Sequence, residues 1–340
     1  MSRSSTVQHS VLGTFILPIA SALRAQGIDA IDVVTEVGVD PAKAANPDWR
    51  VSHEHMNRLM QYSVELTGDE AFGLLAADYL QPQALHGLGL AWLASDTVYD
   101  GLKRLVRFGR LINTGLDMSL QEEGTLARLV MAPLLPEEQD FCHARRDYYV
   151  AMVVRMCRLT LGDFLAPVAI ALDRPTPHAP ERWEYHLASR VSFDHASTML
   201  DWSLADIGEP LITGDPALAR VNDEQTQIYL DSFLAQSTCR AVVARIVERL
   251  PDGMPSQQDI ADELHISNRT LQRKLKEEGT SFKELVQDTR LQLARKYLLQ
   301  PSRSIVETSY LLGFSEPSTF SRAFKRWTGQ APAEFRDRPQ

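Results

Sequence analysis

Two short segments near the end of the chain carry basic side chains at matching positions. Arg273 and Lys276 in the first segment are matched, each 49 residues later, by Arg322 and Lys325 in the second. An arginine can donate two hydrogen bonds to O6 and N7 of a guanine, and a lysine can neutralise a phosphate. The repeated pair therefore indicates nucleic-acid recognition, provided that each segment forms a surface helix that fits a groove.

Residues 256–277 predict such a helix as the second half of a helix-turn-helix unit. Ser256 is suited to cap a short first helix, residues 265–267 suit a tight turn, and Ser267 is suited to cap the second helix. The small side chain of Ala261 allows the two helices to cross closely. The predicted inner face comprises Ile260, Ala261, Leu264, Ile266, Leu271 and Leu275, and the predicted outer face comprises Arg269, Gln272, Arg273 and Lys276.

Residues 304–326 repeat this pattern. Gly313 permits the turn, Ser315 is the predicted cap of the second helix, and Pro317 falls in its first turn, where a missing N–H costs little. A pair of merely solvated helix faces is the alternative explanation, and it fits two matched copies much less well than one. The predicted inner face comprises Ile305, Leu311, Leu312, Phe314, Phe320 and Phe324.

Between the two units, residues 281–300 place apolar side chains at helical spacing. A helix of this length spans roughly 28 Å at 1.5 Å per residue. Such a rod would hold two recognition helices about one turn of DNA, roughly 34 Å, apart. The sequence thus predicts one chain that reads two successive major grooves.

These residues resemble the DNA-binding domain of the AraC/XylS transcription regulators. The resemblance covers about residues 239–338, with two departures: Ser309 stands where the family usually has Ala, and Phe335 where Tyr is common. The matching residues are Ala261, Leu264, Ser267, Arg269, Leu271, Arg273, Leu275, Gly279, Phe282, Arg290, Ala294, Leu298, Ser304, Ile305, Gly313, Phe314, Phe320, Phe324, Lys325, Gly329, Pro332 and Arg336.

The resemblance implies a sequence-specific transcription regulator, an activator as in much of the family. Its implied partners are double-stranded promoter DNA and RNA polymerase. Phosphate contacts of the implied kind position a protein on DNA without reading its sequence. The implied base contacts are Arg269, Gln272, Arg273, Ser318, Thr319 and Arg322, and the implied phosphate contacts are Lys276, Lys325 and Arg326.

The first two thirds of the chain predict an α+β domain in which helices accompany a small antiparallel sheet. A hairpin is expected at 116–120 and 125–131, with Glu122, Glu123 and Gly124 between its strands. We expect a regulatory domain over 1–215, a linker over 216–236, and an all-α domain with two helix-turn-helix units over 237–340. The predicted helices are 18–26, 52–67, 70–79, 86–94, 97–114 (after a cap at Ser95-Asp96) and 137–161, and further strands are predicted at 168–172 and 190–193.

This first domain resembles the sensor domain of one AraC branch, a type often labelled arabinose-binding although its members recognise varied ligands. The resemblance implies a small-molecule effector and places His86 in the lining of its pocket. A half-buried histidine with ordinary partners is the alternative interpretation of His86. The residues that carry the resemblance are Leu85, His86, Gly87, Leu90, Leu200, Pro210, Leu211, Asp215 and Pro216, with the stretches 95–105 and 191–193.

Charge is divided unevenly along the chain. Residues 240–340 contain 17 Lys and Arg against 13 Asp and Glu, whereas the remainder contains 18 against 31, and the net charge of the whole chain is −9. A basic end on an acidic body suits a nucleic-acid partner. Three cysteines without a C-x-x-C pair suit a reducing cytoplasm, and no run of about 18 apolar residues is present that would predict a membrane span.

The sequence contains no recognisable catalytic motif, and the nearest approach to a metal site is His53-Glu54-His55. Side chains two residues apart on a helix point in different directions, which argues against a shared metal ion. We therefore expect no enzyme activity, no cofactor and no metal. Two alternatives stay open: an enzyme that the C-terminal domain localises on DNA, and an architectural DNA-binding protein without a sensor. A homodimer is one of the open oligomeric states.

Overall fold

A computed structural model describes residues 9–44, 46, 48–133, 142–235, 237–278, 280–298 and 303–336. The chain divides into two compact units, one over residues 9–228 and one that includes residues 229–340. In the described residues, the first unit combines helices with two sheets, and the regular elements of the second are all helices. The predicted fold class, an α+β domain followed by an all-α domain, is confirmed.

The first unit contains a two-stranded and a five-stranded sheet. The smaller sheet pairs β1 with β2 in antiparallel fashion, and the larger has the order β3-β4-β7-β5-β6. Neighbours in the larger sheet are antiparallel except for the parallel pair β5 and β6. The strands are β1 (Ser10–Leu12), β2 (Arg50–Ser52), β3 (Leu116–Glu123), β4 (Leu126–Pro133), β5 (Ala169–Ala171), β6 (Arg190–Ser192) and β7 (Thr198–Ser203).

The centre of the larger sheet follows from alternating side chains in β4 and β7. Leu129 on β4 lies opposite Leu200 on β7, and both are buried. On the other face, the Arg128 guanidinium binds the Asp201 carboxylate, with Nε 2.7 Å from Oδ1. The predicted hairpin is present as β3 and β4; β3 extends further towards the turn at Gly124 than predicted, and β4 ends two residues later than predicted.

The helices of the first unit surround α8, whose residues are mostly buried. Helix α5 crosses α8 so closely that a Cβ on Gly73 would lie 1.8 Å from the carbonyl oxygen of Ala144. Helix α8 begins at His143, and the predicted earlier start at residue 137 lies outside the described residues. The helices are α1 (Ile16–Ala25), α2 (Ala30–Glu36), α3 (Pro41–Ala44), α4 (His53–Thr67), α5 (Phe72–Ala77), α6 (Gly87–Leu93), α7 (Val98–Ile112), α8 (His143–Leu161), α9 (Glu181–Leu187) and α10 (Leu204–Ile207).

The predicted cap of α7 at Ser95-Asp96 is wrong. Thr97 caps the helix, because its Oγ1 accepts a hydrogen bond from the amide of Asp100 at 3.0 Å. The hydroxyl of Ser95 instead donates to the carbonyl of Ala91 at the end of the preceding helix.

The expected linker is helical over most of its length. Residues 216–235 form α11 (Pro216–Ala235), which extends past residue 228, where the two units divide. The Asp215 carboxylate caps this helix by accepting from the amides of Ala217 and Leu218, both at 3.0 Å. On the first unit, Arg104 Nε lies 3.1 Å from each carboxylate oxygen of Asp223. The polar residues 222–227, which favoured a linker, thus belong to a helix, and the domain boundaries remain a prediction.

In the second unit, one long helix serves two separate hydrophobic cores. Helix α15 contributes Leu285 and Val286 to the first core and Ala294 and Leu298 to the second. This is the predicted linking helix, of which residues 299 and 300 lie outside the described residues. No helix within the described part of the chain is long and apolar enough to cross a membrane. The helices are α12 (Thr238–Arg249), α13 (Gln257–Glu263), α14 (Asn268–Glu277), α15 (Phe282–Leu298), α16 (Ile305–Leu311), α17 (Pro317–Thr328) and α18 (Pro332–Arg336).

Candidate DNA interface

The first helix-turn-helix unit consists of α13 and α14. Ser256 and Asp259 form a capping box at the start of α13, with the Asp259 amide 3.1 Å from Ser256 Oγ and the Ser256 amide 2.9 Å from Asp259 Oδ2. Ile260 and Ala261 on the same helix are fully buried. Ser267 then caps α14 by accepting from the amide of Thr270 at 3.1 Å. The caps and the inner face are those predicted.

The turns of the two helix-turn-helix units share an unusual backbone conformation. His265 and Gly313, at equivalent positions, have φ angles of 54° and 69°. Glycine adopts this left-handed region without strain, whereas a side chain rarely does. At Gly313 a side chain is also excluded by space, since a Cβ would lie 2.9 Å from the carbonyl oxygen of Leu250. The second turn therefore requires glycine, while the exposed His265 tolerates the conformation in the first.

Helix α14 presents two different faces. Leu271 and Leu275 are buried in the first core, one helical turn apart. The predicted contact residues Arg269, Gln272, Arg273 and Lys276 are all exposed. The last turn also contains Lys274, so that basic side chains predominate on the solvent side of this helix. This is the charge and shape that a major groove accepts from a recognition helix.

Helix α17 repeats this arrangement in the second helix-turn-helix unit, which consists of α16 and α17. Phe320 and Phe324 are fully buried in the second core and stand where Leu271 and Leu275 stand in the first. The predicted contact residues Ser318, Thr319, Arg322, Lys325 and Arg326 are all exposed.

Ser315 does not cap α17, contrary to the prediction. The N-terminal flanking residue is Glu316, and no side chain caps this end. Pro317 is the cause, because the residue before a proline is driven into an extended conformation, and Glu316 has φ −139° and ψ 134°. The helix therefore begins at Pro317, one residue later than a Ser315 cap would require.

Both departures from the family pattern are accommodated. Ser309 is fully buried, and its hydroxyl donates to the carbonyl oxygen of Val306 at 2.7 Å. A buried hydroxyl costs little when it is hydrogen-bonded. Phe335 packs edge-on against Phe324, with ring centroids 5.4 Å apart. The second helix-turn-helix unit therefore keeps a closed hydrophobic core despite both departures from the family pattern.

Arg290 joins the linking helix α15 to the turn of the second helix-turn-helix unit. Its Nε donates to the carbonyl oxygen of Leu312 and its Nη2 donates to the carbonyl oxygen of Gly313, both at 2.8 Å. Its guanidinium also stacks over the ring of Phe314, 4.2 Å from the centroid. Burial lowers the pKa of this side chain. In the sequence Arg290 is only a match to the family. The structure adds that it binds the turn before α17 to α15.

The two principal arginines differ in their neighbours. Arg273 Nη1 donates to Glu277 Oε1 at 2.6 Å, one helical turn further along α14. The position equivalent to Glu277 on α17 is Arg326, which cannot pair with Arg322. The first recognition helix therefore holds its arginine in an ion pair, and the second does not by this route.

Comparison with known proteins assigns both units. Residues 27–211, more than half of the chain, match the family described as the arabinose-binding domain of AraC transcription regulators. The chain belongs to the AraC family. Residues 260–338 match a second family, described as a helix-turn-helix domain. The AraC assignment confirms both resemblances drawn from the sequence, and this AraC-family protein is a DNA-binding transcription regulator.

Two known regulators align with this chain over nearly their whole length. The transcriptional regulator VirS of Mycobacterium tuberculosis is 35% identical over 324 residues, which is 92% of each chain. The ornithine utilization regulator of Pseudomonas aeruginosa is 26% identical over 320 residues, covering 91% of this chain and 94% of that protein. Among solved structures, CdpR of Pseudomonas aeruginosa aligns over 94% of this chain and 96% of its own, with 20% identity and a TM-score of 0.47.

His86, the residue predicted to line the ligand pocket, lies immediately before α6. Its φ of 58° is unusual for a residue with a side chain, and its Nε2 lies 4.0 Å from Asp48 Oδ1. The side chain is half-buried. The next residue, Gly87, approaches α11 so closely that a Cβ would lie 2.9 Å from the carbonyl oxygen of Asn222. The role of His86 in ligand binding stays a prediction.

His53 and His55 each have a partner within the fold. The Nε2 of His53 lies 2.6 Å from Asn113 Oδ1, and the Nδ1 of His55 lies 2.6 Å from Ser52 Oγ. Among the described residues, no group of three or more His, Cys, Asp or Glu is placed to hold a metal ion.

Proposed function

We propose that this AraC-family regulator is a ligand-responsive activator that reads two successive major grooves with one chain. The observation that carries the proposal is the equivalence of Arg273 and Arg322. Each is exposed on a helix whose opposite face is buried in its own core, and α15 contributes to both cores. The 17 residues of α15 span about 26 Å, which suits a spacing of about one DNA turn.

We assign base contacts to Arg269, Gln272 and Arg273 on α14 and to Ser318, Thr319 and Arg322 on α17. Arginine and amide side chains can make two hydrogen bonds to one base, which discriminates against the wrong base by about 1–3 kcal/mol. Phosphate contacts are assigned to Lys276, Lys325 and Arg326 near the helix ends. All nine side chains are exposed on the same two helices, which supports their assignment to the DNA interface.

The response to a ligand is assigned to the first unit. Its match to a sensor family supports this assignment, as does the name of the relative that regulates ornithine utilization. In the same proposal the protein acts in the cytoplasm, contacts RNA polymerase at the promoter, has no enzyme activity, and forms a homodimer in at least one ligand state.

The test combines footprinting with a reporter gene. DNA recovered from cells with the bound protein defines a site, and we expect the purified chain to protect two adjacent major grooves on one face of that site. A reporter under that promoter should gain output when the regulator is present and change further with growth conditions. Protection of a single groove, or binding without sequence preference, would contradict the proposal.

A further inference from the structure

A groove of about 720 Å³ opens on the surface of the first unit, between the end of α8 and the segment after α10. Leu161 and Leu165 line it from the α8 side, and Leu211 lines it from the other. Volumes of about 300–1,000 Å³ are typical of small-molecule sites. The groove is therefore large enough for an effector and is formed within one unit.

Two large apolar side chains in this groove face water. Phe164 is 79% exposed and Ile212 is fully exposed, one on each side. Apolar residues that cluster around a concave surface mark a binding site more often than scattered ones do. A ligand that covers both side chains would remove this apolar area from water, so its body must be apolar as well.

The charge of the groove specifies the other half of the ligand. Asp206 and Glu209 line it and are exposed, and none of the described residues that line it is basic. Arg158, on α8, directs its guanidinium to the carbonyl oxygens of Leu165, His186 and Leu187. Two carboxylates beside an apolar surface favour a ligand with a positive charge at one end.

The groove wall leads directly into α11. The Leu211 amide donates to Asp96 O at 2.8 Å, and the Asp215 amide donates to Ala94 O at 3.0 Å. Asp215 then caps α11, whose later residues belong to the second unit. A ligand held against residues 209–213 would thus act on the stretch that positions the start of α11.

We infer that this groove is the effector site and that it binds a small amphipathic cation, an apolar body with a protonated amine. The inference rests on the proposed ligand response and adds the place and the chemical class. A second copy of the chain seated on Phe164 and Ile212 is the competing occupant, which the experiment must distinguish.

The experiment titrates the full chain with three probes of equal body, octylammonium chloride, 1-octanol and sodium octanoate, by calorimetry without DNA. We expect one octylammonium ion per chain, bound more than about tenfold more tightly than octanoate because both carboxylates attract one and repel the other. The double variant Asp206→Asn/Glu209→Gln should weaken octylammonium binding about fivefold and leave 1-octanol unchanged. Glu65→Gln, an exposed carboxylate change on α4, is the control.

Ile212→Lys is the second variant, chosen because the native side chain is fully exposed and the fold does not depend on it. It should abolish octylammonium binding and strengthen octanoate binding. No binding of octylammonium, equal binding of octanoate, or unchanged binding by Ile212→Lys would overturn the inference. A dimer that Ile212→Lys converts to monomer, without any effect on octylammonium, would assign the groove to a second copy instead.

Adding DNA separates this inference from the proposed function. If octylammonium binds as expected but leaves the affinity for DNA and the reporter output unchanged, the groove binds an amphipathic cation but is not the effector site, and the inference is wrong while the proposed function stands. If the response to growth conditions persists in the Ile212→Lys variant, another part of the first unit senses the effector, and the inference is wrong while the proposed function stands.

Discussion

Arg273 reaches across one turn of α14 to Glu277, with Nη1 2.6 Å from Oε1. Both side chains are more than half exposed, so water screens this ion pair and it stabilises the helix only slightly. We expect Arg273 to leave this partner when it donates two hydrogen bonds to a guanine. Glu277 thus competes with DNA for Arg273, and Arg322 on the second recognition helix has Arg326 at the corresponding position.

Replacing Glu277 with glutamine should raise the affinity for a specific site. The change releases Arg273 and removes a negative charge close to the phosphates, and we expect about a two- to fivefold gain in fluorescence-anisotropy titrations. Glu248→Gln is the matched control, because Glu248 forms a similar exposed pair with Arg245 on α12. The gain should shrink when Arg273 is already alanine. An equal gain in both backgrounds would show that the pair itself does not matter.

Arg290→Ala should lower the stability of the second helix-turn-helix unit and leave the first helix-turn-helix unit unchanged. Two charge-assisted hydrogen bonds to Leu312 and Gly313 are lost, which costs about 2 kcal/mol in the free energy of unfolding. Urea unfolding measures that loss, and hydrogen exchange should show it in α16 and α17. Lys283→Ala, an exposed change on the same helix, should have no effect. Equal loss of protection in α13 and α14 would refute the separation into two cores.

A fragment from Ser237 to Gln340 should fold and bind DNA alone. Ser237 must be kept, because its Oγ accepts from the Arg240 amide and donates to Glu278, so that it closes the start of α12. Circular dichroism and the affinity for a specific site test the fragment, and Ser237→Ala within it should lower stability by about 1 kcal/mol. A fragment that stays unfolded at neutral pH would move the domain boundary into α11.

The first unit should lose stability in mild acid because of His53. Asn113 Oδ1 also accepts from the Gly115 amide, so His53 Nε2 is the donor in their hydrogen bond and carries a proton. Burial, with the positive charge of Arg145 as a smaller cause, lowers the pKa of His53 from 6.5 to about 2. Below pH 6.5 the His53 side chain takes up a proton in the unfolded chain but stays neutral in the folded chain. The free energy of unfolding therefore decreases as the pH is lowered.

The measurement for His53 is the free energy of unfolding at several pH values. Between pH 6.5 and about 5, this residue should account for a loss of about 2 kcal/mol, which His53→Gln should remove at the cost of lower stability at neutral pH. His55→Gln, two residues along the same helix, is the control. A slope that His53→Gln leaves unchanged would contradict a neutral buried ring.

The sequence predicted the elements whose pattern is local. Ser256 and Ser267 act as caps, and Leu271 and Leu275 are buried, because capping and helical spacing depend on residues a few positions apart. Ser315 failed as a cap because the conformation imposed by Pro317 outweighed its hydroxyl. Strand β7 was missed although Thr198, Leu200 and Trp202 alternate inward, a signal that could have found it.

Contacts between distant residues were beyond the sequence. The sequence predicts a linker where α11 lies because residues 222–227 are polar, yet Thr226 among them is buried. Only the packing of α11 through Arg104 and Gly87 shows which unit its first part joins. Arg290 binds carbonyl oxygens 22 and 23 residues further along the chain, which no spacing rule predicts. The Arg273–Glu277 pair, in contrast, has the i,i+4 spacing from which it could have been predicted. The groove beside Phe164 and Ile212 brings together residues almost 50 positions apart.

The central claim is that one chain reads two grooves through two arginines. Its most direct test is competition binding of Arg273→Ala, Arg322→Ala and Lys325→Ala against a library of variant sites at two salt concentrations. Each arginine change should weaken specific binding about 5- to 150-fold, spare random DNA, and relax preference at its own base cluster, the two clusters lying about 10 bp apart. Lys325→Ala should weaken binding to all sequences and flatten the salt dependence by about one unit. Relaxed preference at the same bases for both arginine variants, or at none, would contradict the claim.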